Sequence, residues 1–176
     1  MIETECNTKV KIIRSDNGTE YCNQKLTDYF KEKGIKHQLT VPYTPQQNGL
    51  AERTQRTIMD KVRCMFQDSG CDRIMWTEAA NTAAYIINRS QTKKLLAATP
   101  EKVWSEKRID LKHIRIFGSK AYAHIPHEKR TKLDPKSKQY IFVGYCEDSK
   151  AYRLFDPLTH NIIKSRDVIY YEEQMF

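Results

Sequence analysis

Residues 40–56 read Thr-Val-Pro-Tyr-Thr-Pro-Gln-Gln-Asn-Gly-Leu-Ala-Glu-Arg-Thr-Gln-Arg, a turn-rich loop that leads directly into a helical pattern. The helix carries a carboxylate, Glu52, in its first predicted turn. Upstream, a second carboxylate, Asp16, follows a short apolar run and opens the turn signal Asp16-Asn17-Gly18. Thirty-five residues separate Asp16 from Glu52. These two carboxylates, one after a predicted strand and one at the start of a predicted helix, are the first candidates for a chemical site.

A strand–helix–strand unit precedes this loop. The pattern of Val10–Arg14 predicts a short strand, which is closed by the turn signal Asp16-Asn17-Gly18. Asn23 predicts the N-cap of the following helix, and Gly34 predicts its end, where a left-handed residue is needed at low cost. Ile35–Val41 predicts the second strand. This order predicts a parallel pair of strands joined by a right-handed crossover.

Two longer helices are predicted after the loop. The first runs from Leu50 to about Asp68 and ends at Gly70. Its buried stripe is predicted to comprise Thr54, Ile58, Val62, Met65 and Phe66. The second runs from about Asp72 to Asn88. One face of it carries Trp76, Ala80, Ala83, Ala84 and Ile87, and the alanines permit close approach to a neighbouring element.

The sequence changes character after residues 91–112, a connector that contains Pro100 and mixed charges. Beyond it, short β-type runs alternate with turns that contain Pro, Asp-Pro or Gly. These runs are Ile114–His124, Tyr140–Tyr145, Ala151–Phe155 and Asn161–Tyr170. Several short strands within about 60 residues predict a small antiparallel barrel. The predicted fold class is therefore an α/β part, with a parallel strand pair and helices, followed by a small all-β barrel.

The charge of the chain is unevenly distributed. The 176 residues carry a formal net charge of +8, and Lys107–Lys138 contains ten Lys or Arg against three Asp or Glu, a balance of +7. A basic segment of this kind suits a polyanionic partner such as DNA. The alternative interpretation is a solvent-exposed face whose lysines keep the protein soluble.

The cysteine pattern and the hydropathy indicate the compartment. The five cysteines form no Cys-x-x-Cys pair and lie near no His at zinc-ligand spacing, which favours free thiols in a reducing compartment. No apolar run approaches the roughly 20 residues that a membrane-spanning helix needs. We therefore expect an intracellular protein that does not interact with a membrane.

Ordered blocks along the chain carry a family resemblance. The blocks are Ser15-Asp16-Asn17-Gly18, Thr40 through Arg53, Trp76 with Glu78-Ala79, Tyr85-Ile86-Ile87-Asn88-Arg89, Thr99-Pro100-Glu101, Phe117-Gly118, Lys132-Leu133-Asp134-Pro135-Lys136-Ser137, Ile141-Phe142-Val143-Gly144-Tyr145 and Ser165-Arg166-Asp167-Val168. Together they resemble the integrase region of the Pol polyprotein of copia-type LTR retrotransposons. The resemblance implies that residues 1–90 are the C-terminal half of an RNase H-like catalytic core whose first strands are missing. It implies a connector at residues 91–112 and an SH3-like β-barrel at residues 113–171.

The resemblance also implies a chemistry, the metal-dependent strand transfer of DNA integration. Asp16 and Glu52 would be catalytic residues and ligands of Mg²⁺ or Mn²⁺. Carboxylate oxygens suit Mg²⁺, and a pair of such ions can activate an attacking oxygen and stabilise a leaving one. A further catalytic Asp is expected on an earlier strand, upstream of Asp16, where this chain has no room for it. We therefore expect weak or absent metal binding, and no catalysis, from the isolated chain.

The candidate DNA contacts lie in two places. Arg56 follows Glu52 by four residues and so projects from the same helical face, where it could meet a phosphate. Loop residues beside the site and basic residues of the barrel region complete the set. The predicted DNA-binding residues are Asn48, Gly49, Arg53, Arg56, Lys129, Arg130 and Lys132.

Each carboxylate also has a purely structural interpretation. Asp16 can simply open a turn, and Glu52 can complement the helix macrodipole, worth about 0.3–1 kcal/mol. Two functions therefore stay open. One is an integrase segment that acts on retrotransposon ends and target DNA when the upstream polyprotein or a second copy completes it. The other is a non-catalytic remnant or co-opted module that binds nucleic acid; a decayed reading frame with no role is a third possibility. If the protein acts on DNA, we expect it in the nucleus.

Overall fold

A computed structural model describes residues 2–41 and 49–175. The chain forms two compact units, residues 1–56 and 57–176. In the described residues the helices are α1 (Ile2–Cys6), α2 (Gln24–Lys33), α3 (Gly49–Ser69), α4 (Trp76–Arg89) and α5 (Pro100–Ser105). The strands are β1 (Ile12–Ser15), β2 (Lys36–Leu39), β3 (Ser119–His124), β4 (Ser137–Tyr145), β5 (Tyr152–Phe155), β6 (Ile162–Ser165) and β7 (Val168–Met175). The order of elements matches the predicted α/β part followed by an all-β part.

The first unit contains the predicted strand–helix–strand arrangement. Strands β1 and β2 pair in parallel, with Ile12 opposite Lys36. The Asn23 side chain accepts a hydrogen bond from the backbone of α2, and Gly34 ends that helix at φ 67°, so both predicted helix signals are confirmed. The buried Phe30 of α2 packs edge-on against His37 of β2, with ring centroids 5.0 Å apart. Helix α2 thus contacts this strand pair through Phe30.

The second unit contains a five-stranded antiparallel sheet. Its strand order is β6-β5-β4-β3-β7. The last predicted β-run is divided into β6 and β7 by a bend at Arg166-Asp167, where the backbone N–H of His124 donates to the carbonyl of Asp167. This bend lets β7 return to pair with β3.

Two hydrophobic clusters lie on opposite faces of this sheet, because side chains alternate between faces along each strand. One cluster contains Ala121, Ala123, Phe142 and Leu154, with Tyr140, Tyr145, Tyr152 and Tyr170 around them. The other joins the sheet to α3 and α4 and contains Val62, Cys71, Met75, Ala79, Ala83, Phe117, Ile141, Val143 and Phe155. Helices α3 and α4 therefore share a core with the barrel strands.

Two predicted core positions are wrong. Thr54 is exposed, and its hydroxyl donates to the carbonyl of Leu50 at 2.9 Å, one turn earlier in α3. Trp76 has 56% of its surface exposed. A short 3₁₀ turn, Arg73–Met75, precedes α4 and places Met75 in the core instead, with Ala79 and Ala83 following at helical spacing. The helical periodicity of the sequence did not indicate that Met75, rather than Trp76, lies in the core.

No helix within residues 2–41 or 49–175 has both the length and the apolarity to cross a bilayer. The predicted boundaries of the core, connector and barrel domains stay a prediction.

Candidate metal and nucleic-acid site

Asp16 lies at the carboxyl end of β1, immediately after the strand ends at Ser15. Its side chain is exposed, and Oδ1 accepts a hydrogen bond from the backbone N–H of Gly18 at 3.2 Å. The carboxyl ends of parallel strands are where open α/β sheets place their ligands. The position of Asp16 therefore agrees with both interpretations of the sequence, since the residue opens a turn and also presents a carboxylate at a sheet edge.

The two strand ends at this edge are tied together. Asn17 donates a hydrogen bond from Nδ2 to the carbonyl of Thr40, 2.8 Å away, and the backbone N–H of Thr40 donates to the carbonyl of Ser15 at 3.0 Å. The buried Ser15 hydroxyl also lies 2.8 Å from Nε2 of His37 on β2. These contacts restrain the backbone on both sides of Asp16, so its carboxylate projects from an anchored turn.

A second carboxylate lies on the same turn and was not selected from the sequence. The Glu20 side chain covers Gly18 so closely that a Cβ at Gly18 would lie 2.6 Å from Oε2 of Glu20. Asp16 contacts the backbone N–H of the same glycine. Two acidic side chains therefore share the Gly18 turn.

Glu52 lies in the first turn of α3, as predicted. Glu52, Arg53 and Arg56 are exposed, and Gly49 is the first residue of the helix. Arg56 follows Glu52 by one helical turn, so the carboxylate and the guanidinium project from one face. Asn48 lies outside the described residues.

The described residues provide the right type of metal ligand but not a complete set. Carboxylate oxygens, such as those of Asp16 and Glu52, are what Mg²⁺ or Mn²⁺ prefers. Across residues 2–41 and 49–175, no group of three or more His, Cys, Asp or Glu side chains is arranged to hold a metal ion. The donor atoms therefore suit a divalent cation in kind, while the joint action of Asp16 and Glu52 stays a prediction.

The basic candidates of the barrel region lie on the connection between β3 and β4. Lys129 ends a short 3₁₀ turn, and both Lys129 and Lys132 are exposed. Arg130 is half-buried, and its Nε donates to the carbonyl of Ile125 at 3.3 Å. Two of the three predicted basic residues, Lys129 and Lys132, are thus exposed to solvent, whereas the Arg130 side chain also bonds to the backbone of its own loop.

A cleft of about 850 Å³ lies between α4 and the turn that joins β4 to β5. None of the predicted site residues lines it. Its charges are largely paired, with Arg153 bound to Glu78, Arg89 3.5 Å from Glu101 and Lys164 3.9 Å from Asp148. Size alone therefore does not make this cleft the chemical site.

Comparison with known proteins shows which proteins this chain is similar to. The chain is 45% identical over 175 residues to the retrovirus-related Pol polyprotein from transposon TNT 1-94 of Nicotiana tabacum. It is 31% identical over 176 residues to the corresponding polyprotein from transposon RE2 of Arabidopsis thaliana. The chain is homologous to the retrovirus-related Pol polyproteins of plant transposons. It spans about 13% and 12% of the length of these two relatives, while 99% and 100% of the chain takes part in the matches.

Two further comparisons concern the fold of this chain. Residues 119–176 match the family model described as the retroviral polymerase SH3-like domain, which covers β3 to β7. The whole segment resembles a chain in the solved simian T-cell lymphotropic virus intasome in complex with PP2A regulatory subunit B56 gamma. That match has a TM-score of 0.50 and 17% identity, and covers 96% of this chain and 60% of the other. The predicted fold class, an α/β part followed by a small SH3-like all-β part, is thus confirmed.

Proposed function

We propose that this chain is a segment of a copia-type retrotransposon integrase and contributes Asp16 and Glu52 to a metal-dependent site for DNA strand transfer. One observation supports the proposal most directly: Asp16 projects from the carboxyl end of a parallel strand in a chain homologous to transposon Pol polyproteins. Glu52 follows at the start of a helix, which presents its carboxylate from a rigid element.

The chain's own residues have distinct tasks in this proposal. Asp16 and Glu52 hold the divalent cation through carboxylate oxygens, and the bound ion supplies positive charge against the phosphate. Asn17 keeps the Asp16 turn in place through its hydrogen bond to Thr40. Arg56, one turn after Glu52, meets a phosphate of the DNA end. The partners are the retrotransposon ends and target DNA, and the place of action is the nucleus.

A DNA-joining assay tests the proposal. A labelled duplex end is incubated with plasmid target and Mg²⁺, with the segment alone and with the segment joined to the preceding part of its polyprotein. We expect Asp16→Asn and Glu52→Gln each to abolish joining, because an amide has no charge to hold the cation. Glu32→Gln is the matched control, since Glu32 is an exposed acid on α2 that pairs with the neighbouring Lys33.

The controls define what would contradict the site. Circular dichroism should show that each variant keeps the helical content of the unchanged segment, since Asp16 and Glu52 are exposed. Joining that survives both substitutions would exclude Asp16 and Glu52 as the reacting centre. Joining lost equally in Glu32→Gln would show that the assay reports general damage.

A second candidate function is non-catalytic binding of nucleic acid through the basic β3–β4 connection. The exposed Lys129 and Lys132 favour it. Electrostatic binding of this kind weakens linearly in log K against log salt, with a slope of about −0.9 per phosphate contact on duplex DNA. Replacing Lys129 and Lys132 with Gln should reduce the steepness of that slope. An affinity for duplex DNA that does not change with salt would contradict this mode.

A further inference from the structure

One side chain next to the Asp16 turn has no task in the proposed mechanism. His37 of β2 packs edge-on against Phe30 of α2, with ring centroids 5.0 Å apart. Its cross-strand neighbour is Ile13, and Ser15 follows Ile13 by two residues, so Ser15 and His37 lie on the same face of the strand pair. Ser15 is buried and His37 is half-buried. The two polar side chains therefore meet at a place that is partly shielded from solvent.

The hydrogen bonds at Ser15 can be given a direction. The Ser15 hydroxyl donates to the backbone carbonyl of Asp16 at 2.9 Å, and its oxygen lies 2.8 Å from Nε2 of His37. A hydroxyl has one hydrogen, and here that hydrogen goes to the Asp16 carbonyl. The Ser15 oxygen must then accept from His37, which requires a hydrogen on Nε2. We call these two bonds, from the His37 ring through the Ser15 hydroxyl to the backbone of Asp16, the His37 relay.

The relay ends on the residue whose carboxylate is the candidate ligand. The orientation of the Asp16 carbonyl about Cα is the ψ angle of that residue, so a bond to this carbonyl restrains the backbone from which the carboxylate projects. Oδ1 of Asp16 in turn accepts from the backbone N–H of Gly18 at 3.2 Å. Outer hydrogen-bond partners orient ligating side chains in this way in metal sites generally.

We propose that His37 is a positioning residue for Asp16, and that it acts through the Ser15 hydroxyl to keep the Asp16 carboxylate in the direction that the proposed site needs. In this assignment His37 itself contacts neither the cation nor DNA. The inference rests on the proposed function, which gives Asp16 its role, and adds a residue that the sequence patterns did not select. If His37 only packed against Phe30, an apolar side chain of similar size would replace it.

Two substitutions of similar volume separate positioning from packing. His37→Leu keeps apolar bulk against Phe30 but has no N–H, whereas His37→Gln keeps a side-chain N–H donor. In the DNA-joining assay, with the chain joined to the preceding part of its polyprotein, His37→Leu should lower kcat by about 10- to 100-fold, the usual range for partners of a ligating group. The KM for the DNA end should not change, because His37 touches no DNA. His37→Gln should recover most of the lost rate.

A double-mutant cycle tests whether His37 acts through Ser15. Ser15→Ala removes the middle of the relay and should lower kcat as His37→Leu does. In the Ser15→Ala chain, the further change His37→Leu should cost little, since the relay is already broken. Losses that multiply as independent effects would overturn the inference. Gln38→Leu, the next residue of β2 on the opposite face, is the matched control, and an equal loss there would assign the effect to general damage of the strand.

Two NMR measurements on the whole chain without metal test the relay apart from DNA chemistry. Long-range ¹H–¹⁵N correlation at pH 8 should place a hydrogen on Nε2 of His37. The Gly18 amide should exchange with solvent several-fold faster in His37→Leu and normally in His37→Gln, because its acceptor is the Asp16 carboxylate. The Gly34 amide, which donates to the carbonyl of Lys31 at the end of α2, should be unchanged in both. A neutral His37 with its hydrogen on Nδ1, or Gly18 exchange that does not respond, would overturn the relay.

The inference and the proposed function can fail separately. A His37→Leu chain that joins DNA normally, while Asp16→Asn does not, would overturn the role of His37 and leave the proposed function intact. Equal losses of joining in His37→Leu and His37→Gln, with normal Gly18 exchange in both, would reduce His37 to packing. No joining even by the unchanged chain would contradict the proposed function, and the two NMR measurements would still decide whether His37 holds the Asp16 turn.

Discussion

The Glu78 carboxylate on α4 accepts two hydrogen bonds from the Arg153 guanidinium on β5, one of them 2.7 Å long. The two side chains are 14% and 27% exposed, so the pair is largely shielded from water. Beside it, the Thr82 hydroxyl donates to the carbonyl of Val143 at 2.7 Å, and both groups are buried. Polar contacts therefore reinforce the apolar packing between α4 and the sheet, and the pair raises the pKa of Arg153.

Breaking this pair should destabilise the second unit. Glu78→Gln leaves the guanidinium without its charged partner, and we expect the free energy of unfolding to fall by about 1–3 kcal/mol, as for hydrogen bonds to charged groups. Urea unfolding followed by circular dichroism measures the change. Asp60→Asn is the control, because its pair with Arg63 on α3 is 60–71% exposed and should contribute less than about 1 kcal/mol. Equal effects in the two variants would contradict the special role of Glu78.

Gly118 sets the approach of α3 to the start of β3. Its φ is +83°, and a Cβ there would lie 2.2 Å from Cβ of Ser69, the last residue of α3. Gly118→Ala should therefore combine backbone strain with a clash and lower the free energy of unfolding by at least about 1–3 kcal/mol. Thermal unfolding of the variant checks this expectation.

Gly34 provides the matched control for this prediction. Its φ is +67°, but no atom lies within 4 Å of the position a Cβ would occupy. Gly34→Ala should show the strain alone, about 1–2 kcal/mol for a left-handed residue. A smaller loss in Gly118→Ala than in Gly34→Ala would exclude the contact with Ser69 as the determining factor.

The first unit shows how far local sequence signals reach. The cap at Asn23, the stop at Gly34 and the parallel pairing were all predictable, because each depends on the chemistry of a few neighbouring residues.

In the second unit, the placement of Trp76 outside the core was not predictable from periodicity. The buried face of this part of the chain is set one residue earlier, by Met75, which ends the 3₁₀ turn Arg73–Met75 that Asp72 caps at the N–H of Ile74.

The candidate site likewise combines positions that local sequence signals predict with contacts that they do not. The positions of Asp16 and Glu52 at the ends of secondary-structure elements follow from local patterns, and both are where the sequence placed them. The hydrogen bond from Asn17 to Thr40 joins residues 23 positions apart, and the Ser15–His37 contact joins residues 22 positions apart. Such contacts depend on strand register, which the sequence pattern alone did not specify. The signal that could have indicated the role of Asn17 is an amide side chain two residues after the end of β1.

Two half-buried tyrosines should respond in opposite directions to loss of their hydroxyl groups. The Tyr170 hydroxyl is buried and has no hydrogen-bond partner among the described residues. Burial raises the pKa of Tyr145 to about 12, and its hydroxyl accepts a hydrogen bond from the backbone N–H of Arg115 at 3.0 Å. We expect Tyr170→Phe to raise the free energy of unfolding by about 1 kcal/mol and Tyr145→Phe to lower it by a similar amount. Urea unfolding at pH 7 measures both, and a stabilising Tyr145→Phe would contradict the argument.

The Tyr145 pKa also predicts a dependence on alkaline pH. An unfolded tyrosine ionises near pH 10, whereas the folded one ionises near 12, so the folded state binds the proton more strongly. The contribution of Tyr145 is fully present below pH 10 and is lost as the pH rises from 10 to 12. Tyr145→Phe should make the decline of stability in this range shallower. An unchanged pH profile in the variant would exclude Tyr145 as a contributor.

The acid side of the profile should depend on Asp156 at the end of β5. Its side chain is 6% exposed and lies 2.6 Å from Nζ of Lys138 on β4, and this partner lowers the pKa of Asp156. The stabilising contribution is therefore present above the unfolded pKa of about 3.9 and is lost as the pH falls through the lower folded value. Asp156→Asn should destabilise the protein at pH 7 and flatten the loss of stability below about pH 4. Urea unfolding at pH 7, 5 and 3 measures this, with Asp148→Asn as the control, because Asp148 is 85% exposed and lies 3.9 Å from Lys164. If the free energy of unfolding of both variants falls below pH 4 as steeply as that of the unchanged chain, the Lys138–Asp156 pair does not determine the loss of stability in acid.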